Sequence, residues 1–182
     1  MSVATPPVDT AAPKPGDVLT HPVHGPVRIV NSCTRVVRGE DREYVDMEVI
    51  GDEMRISVPA DGKDVIGLRA LLEEKQIGEL IEQLSQPIEP PEKKASWAHR
   101  IKTLTMQLQS GRLSDRIDVI RGILGDSGGA PSSLAERNLL KQAVGPLAAE
   151  IAIARKVTKD EAEALLHETA ERAVAAGAPA AA

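Results

Sequence analysis

The chain has 182 residues, 42% of them hydrophobic, and a formal net charge of −5. That length allows one or two domains with a packed core, but with no Phe, one Trp and one Tyr the core must be built from Val, Ile, Leu and Ala. A single Cys excludes an internal disulfide and points to a reducing, cytoplasmic setting; no run reaches the roughly 18 apolar residues of a membrane span.

The charge is unevenly spread. Residues 1–91 carry nine Lys or Arg against sixteen Asp or Glu, and residues 92–182 carry thirteen against eleven. An acidic front half and a mildly basic back half suggest partners of different charge. The back half is too weakly basic to hold DNA tightly alone. The N-terminus lacks the basic and apolar regions of a secretory signal, and residues 1–15 read as a disordered Ala/Pro/Thr tail.

From Gly16 the pattern is that of short strands. Val18-Leu19-Thr20 is followed by the turn residues His21-Pro22 and His24-Gly25-Pro26. Val27 to Val37 is a β-branched run, and Arg38-Gly39-Glu40-Asp41 is a polar turn. Tyr44 to Ile50 alternates, with Val45, Met47 and Val49 on one face and Tyr44, Asp46 and Glu48 on the other. After Gly51-Asp52, Met54, Ile56 and Val58 resume the inward face, Arg55 and Ser57 face outward, and Pro59 stops the strand. Close-spaced strands with Gly turns indicate a small antiparallel barrel or strongly bent sheet. Val65-Ile66 adds a last short strand, and Leu68 to Leu72 and Ile77 to Leu84 read as short helices packed on its end.

Gln86 to Glu92 holds three prolines and breaks all periodicity, marking a semi-rigid linker. The second half is helical. Ile101, Leu104 and Leu108 recur at helical spacing and Ser110-Gly111 ends that helix. Leu113, Ile117, Ile120 and Leu124 form a second stripe. Ser133 with Glu136, and Thr158 with Glu161, are capping-box patterns opening two further helices. Gly145-Pro146 should kink or split the first of these. The fold class is therefore α+β, a small SH3-like barrel and then an all-α bundle of four or five helices. The segments are a tail at 1–15, the barrel at 16–86, a proline-rich linker at 87–95, the helical domain at 96–176 and a tail at 177–182.

One stretch stands out, Lys93-Lys94-Ala95-Ser96-Trp97-Ala98-His99-Arg100-Ile101-Lys102. It holds the lone Trp at the start of a helix that Ser96 can cap. A flat apolar wedge beside cations suits a nucleic-acid backbone with an accessible base step. A Trp buried between two domains fits the same residues. Other constellations carry less. His21, His24 and Cys33 lack the spacing and fourth ligand of a zinc site, so neither a metal nor a cofactor is expected. Cys33 reads as a small core residue rather than a nucleophile. The Gly-Asp-Ser-Gly-Gly run at 125–129 reads as a loop between helices, and the chain as a non-enzyme. The acidic face from Glu40 to Glu53 reads as a solvated strand face. Arg116 and Arg121 read as solvated charges or as an extension of a DNA surface.

Taken together, five pieces in order resemble the CarD/CdnL family of bacterial transcription regulators. They are Gly16-Asp17-Val18 with His21-Pro22-Val23-His24-Gly25; Glu43-Tyr44; Ile56-Ser57-Val58-Pro59; Ser96-Trp97 with Arg100, Lys102 and Ser110-Gly111; and Leu134-Ala135-Glu136 opening a helix that reaches Glu150-Ile151-Ala152. The resemblance implies a Tudor-like barrel that docks on the lobe of the RNA polymerase β subunit. It also implies a helical domain that contacts promoter DNA, sequence-tolerantly, in the minor groove at the upstream edge of the transcription bubble. Carried over, Trp97 is the wedge that stabilises the open promoter complex, with Arg100, Lys102, Lys94 and His99 beside it. Arg35, Arg55 and Ser57 fall on the polymerase-binding face. Departures are His21 for the family's usual Tyr, Ser57 for an Arg, His99 for a frequent Arg and Arg112 for an acidic cap. The resulting expectation is a cytoplasmic, nucleoid-associated monomer without membrane contact. The competing expectation is a protein–protein adaptor with a peptide-binding barrel, a buried Trp97 and no DNA contact.

Overall fold

The computed structural model describes residues 13–61, 67–88, 96–126 and 129–177. The chain divides into two compact units that meet between Leu72 and Glu73. The first unit is a four-stranded antiparallel half-barrel, β1 (Val18–His21), β2 (Gly25–Val37), β3 (Glu40–Val49) and β4 (Arg55–Pro59), paired in sequence order. Val27, Ile29, Val45, Met47, Val49, Val58 and Leu68 make its core, with Leu19, Ile56 and Ala60 packed against them. Arg38 and Gly39 turn β2 into β3 with φ of 55° and 85°. Two successive positive φ values match the right-handed twist of the flanking strands.

Several expectations need correction here. Residues 68–72 are not helical; Arg69 pairs with Thr20 through hydrogen bonds of 2.7 and 3.1 Å, which extends the sheet beyond β1. Met54 precedes β4 and is exposed, so the inward face of that strand starts at Ile56. Val65 and Ile66 lie outside the described residues, as do the first twelve and last five residues of the chain.

The second unit contains five helices among the described residues, α1 (Glu74–Ser85), α2 (Trp97–Gln109), α3 (Leu113–Asp126), α4 (Leu134–Arg155) and α5 (Lys159–Gly177). The boundary expected at residues 86–87 falls earlier, because α1 belongs here. Ile77, Leu80 and Leu84 are buried in the helical core, and Arg155 grips Glu74 with bonds of 3.1 and 2.6 Å. The segment after α1 also stays with this unit: Ile88 is buried and its N–H bonds the Ala173 carbonyl at 3.0 Å. It passes so close to Gly125 and Gly177 that a Cβ there would lie 2.4 and 2.2 Å from its atoms. The proposed linker thus starts no earlier than residue 89, and residues 89–95 lie outside the described residues.

Helix α3 packs into the bundle with Leu113, Ile117, Val119, Ile120, Ile123 and Leu124 buried. Its two arginines are structural. Arg121 donates to the carbonyls of Gln83, Leu84, Gln86 and Pro87 at 2.8–3.3 Å, binding the chain at and just beyond the end of α1. Arg116 is buried and donates to the carbonyls of Gln142 and Ala143 at 2.8 and 3.2 Å. That contact explains why α4 runs unbroken through Pro146 instead of splitting. Proline has no N–H for the carbonyl four residues back, and that carbonyl belongs to Gln142. Replacing Arg116 by Met should destabilise the protein by about 1–3 kcal/mol by leaving the part-buried Gln142 carbonyl without its donor. The penalty should shrink in a Pro146→Ala background, where residue 146 regains its N–H. Urea denaturation of the four proteins in this cycle measures both effects.

Candidate functional site

The sheet of the first unit presents one polar face, and a β-bulge decides what stands on it. Ile29 pairs with Met47 and faces the core, but Asn31 pairs with Asp46, so Val30 is an extra residue. Strict alternation from Ile29 would turn Cys33 and Arg35 inward. The bulge resets the parity and turns them out. Register then places Asn31, Cys33 and Arg35 of β2 beside Tyr44, Asp46 and Glu48 of β3 and Arg55, Ser57 and Pro59 of β4.

Asp46 sits at the centre of this face. Its Oδ1 accepts from Arg35 Nη2 at 2.8 Å and from Ser57 Oγ at 2.6 Å, and its Oδ2 lies 3.6 Å from Cys33 Sγ. The Arg35 guanidinium also stands 5.1 Å from the centre of the Tyr44 ring, within cation–π reach. The structure thus brings Arg35 and Ser57 onto one carboxylate. Arg55 stands apart, largely exposed and 3.7 Å from Glu48. Asp46, read from sequence as part of a solvated face, is the residue that fixes Arg35. Its partner across the strand could be found only with the bulge in hand.

His21 and His24 are not a ligand pair. His21 is buried, and its Nδ1 accepts from the N–H groups of Val23 and His24 at 3.1 and 3.3 Å, which fastens the turn into β2. Among the described residues no group of three or more His, Cys, Asp or Glu is placed to hold a metal ion. Likewise, no helix among them is long and apolar enough to cross a membrane.

In the helical unit, Trp97 is the first residue of α2 and is 58% exposed. His99 and Lys102 are exposed on α2, and Lys94 lies outside the described residues. At about 100° per residue, Lys102 projects well round the helix from Trp97. Ser96 occupies the N-cap position but makes no side-chain cap; its carbonyl takes the Arg100 N–H at 3.0 Å. The expected cap therefore does not form.

Arg100 differs from the other cations. Its side chain is only 22% exposed and pairs with Oε1 of the fully buried Glu136. The other Glu136 oxygen accepts from Ser132 N, Ser132 Oγ and Ser133 N at 2.6–3.2 Å, while the Glu136 N–H bonds Ser133 Oγ at 3.2 Å. The capping box was legible in the sequence. Its second use, as the partner of an arginine on another helix, was not.

Residues 14–71 match the family model described as CarD-like/TRCF RID domain, and residues 79–167 match the one described as CarD, C-terminal domain. The two matches follow the division of the chain into a sheet unit and a helical unit.

The Ser57 hydroxyl, with Arg35, holds the Asp46 carboxyl below its usual range against the opposing effect of partial burial. Because the folded-state value is depressed, the cluster's contribution is present above the ordinary carboxylate range and is lost as pH falls through the folded value. Ser57→Ala should raise the Asp46 value towards the ordinary range and flatten the acid limb of stability against pH. Carboxyl-carbon NMR titration of both proteins checks the shift.

Proposed function

Starting from the chain's membership of the CarD/CdnL family of RNA polymerase-interacting transcription regulators, we propose that it docks on the lobe of the polymerase β subunit and stabilises the open promoter complex by wedging Trp97 into the minor groove at the upstream fork. The exposed indole at the start of α2 carries this reading. A chain with no Phe and one Trp leaves its largest apolar side chain in water, although burial would be the favourable place for it.

Unwound promoter DNA offers an unstacked base step. An inserted aromatic ring recovers stacking worth about 1–3 kcal/mol per base. That contact exists only while the fork is open, so it shifts the equilibrium towards the open state, and about 1.4 kcal/mol is a tenfold change in population. No base code is required. Phosphate contacts from Lys102, with Lys94 and His99 in supporting places, make the hold sequence-tolerant and salt-sensitive. The positive end of the α2 dipole adds attraction for a phosphate at Trp97.

The sheet unit supplies the address. Arg35, held by Asp46 and Tyr44, presents a fixed cation, while Arg55 offers a mobile one from the same face. Anchoring that unit on polymerase raises the effective concentration of the weak DNA-contacting unit near the fork. The protein acts as a monomer and catalyses no reaction of its own, in keeping with a family of non-enzymatic transcription factors.

Trp97→Ala should retain the wild-type circular dichroism spectrum but shorten the lifetime of the polymerase–promoter open complex by about tenfold. An unchanged lifetime would remove the wedge. Arg35→Glu should weaken retention on immobilised polymerase β while leaving fork-DNA affinity as it was. Equal retention in a pull-down would displace the docking face from β2.

A further inference from the structure

The turn of α2 that carries Trp97 has little apolar anchorage. Trp97, Ala98 and His99 are exposed, and Leu104, two turns in, is the one buried residue of the helix. Ser96 adds no side-chain cap. Arg100 is the first residue of α2 that reaches inward, one turn past Trp97 and on the same side of the helix.

Its target cannot follow it. Glu136 is fully buried, and the three donors on its Oε2 come from the two residues that open α4. The carboxylate is therefore fixed to the start of α4, and Arg100 is drawn to a fixed charge. A cation in the first turns of a helix is disfavoured by the helix dipole, and a carboxylate beside it offsets that cost. Breaking one side of such a buried pair is far costlier than neutralising both.

We propose that Glu136 and Arg100 are positioning residues that set the orientation of Trp97, with Arg100 acting through Glu136 rather than on a DNA phosphate. The functional consequence rests on the wedge role of Trp97; the structural half does not need DNA. The two roles of Arg100 predict opposite signs. If it clamps phosphate, neutralising Glu136 releases it and strengthens the hold on DNA. If it positions Trp97, neutralising Glu136 weakens that hold although the protein becomes less acidic.

The test compares the full chain with Glu136→Gln, Arg100→Gln and the double variant. Gln serves in a capping box, so α4 keeps its start, and the double variant leaves an amide pair where a lone buried charge could prevent folding. The lone Trp reports directly. In free protein, Trp97 fluorescence anisotropy should fall in all three variants. Open-complex lifetime should shorten by about fivefold, the effect of losing one coupled contact, with the salt dependence of fork-DNA binding unchanged. Unchanged anisotropy in the double variant overturns the proposal. So does a longer lifetime with Glu136→Gln, or a salt slope reduced by about one with Arg100→Gln. Should Trp97→Ala leave the lifetime untouched, the wedge fails, while the anisotropy still decides whether the pair positions the ring.

Discussion

Backbone groups that lose their partners inside an aliphatic core must find others, and in the helical unit charged side chains supply them. Arg121 gathers the carbonyls at the end of α1, Arg116 takes the carbonyl that Pro146 cannot serve, and Glu136 meets the amides that open α4. Arg100, Arg112, Arg116, Arg121 and Arg155 are committed to such contacts or to ion pairs within the unit. Part of the positive charge of the C-terminal half is thus spent on contacts within the unit. Among the described residues of α2 apart from Arg100, the exposed basic side chains are His99 and Lys102.

On the proposed function, the modest charge of the helical unit gives the two-unit design its physical sense. A weak, sequence-tolerant contact becomes effective only when something else brings it to the fork. On the proposed docking reading, the polar face of the sheet unit serves recognition rather than stability. Its Asp46-centred cluster is partly exposed, and ion pairs of that kind contribute little to folding. Its value lies in giving Arg35 a single orientation. A pre-oriented cation loses less freedom on docking than a mobile one, and Arg55 provides the contrast on the same face.

Much of this was legible in the residues. The alternation of Val45, Met47 and Val49, the two capping boxes, and the stripe on α3 each follow from a local period or spacing. Gly111, with φ of 71°, closes α2 as its place in the sequence implies. What was not legible depends on partners distant in the chain. The bulge at Val30 leaves no local mark in a run of β-branched residues, yet it decides which face Arg35 occupies. Helix α1 has the same amphipathic pattern whichever unit it joins, so only packing assigns it. Arg116 and Arg121 look like surface charges until the carbonyls they meet are known. Arg100 follows Trp97 in the chain, and proximity in sequence could not reveal Glu136 as its partner.

The most direct test of an exposed indole acting at the fork uses 2-aminopurine placed at the upstream edge of the bubble in a polymerase–promoter complex. Adding the wild-type protein should change the fluorescence of that base, because a ring inserted at the step alters its stacking. Trp97→Ala, bound to the same complex, should leave the signal as it was. An equal change with both proteins would show that the base step is altered without the indole, and would contradict the account.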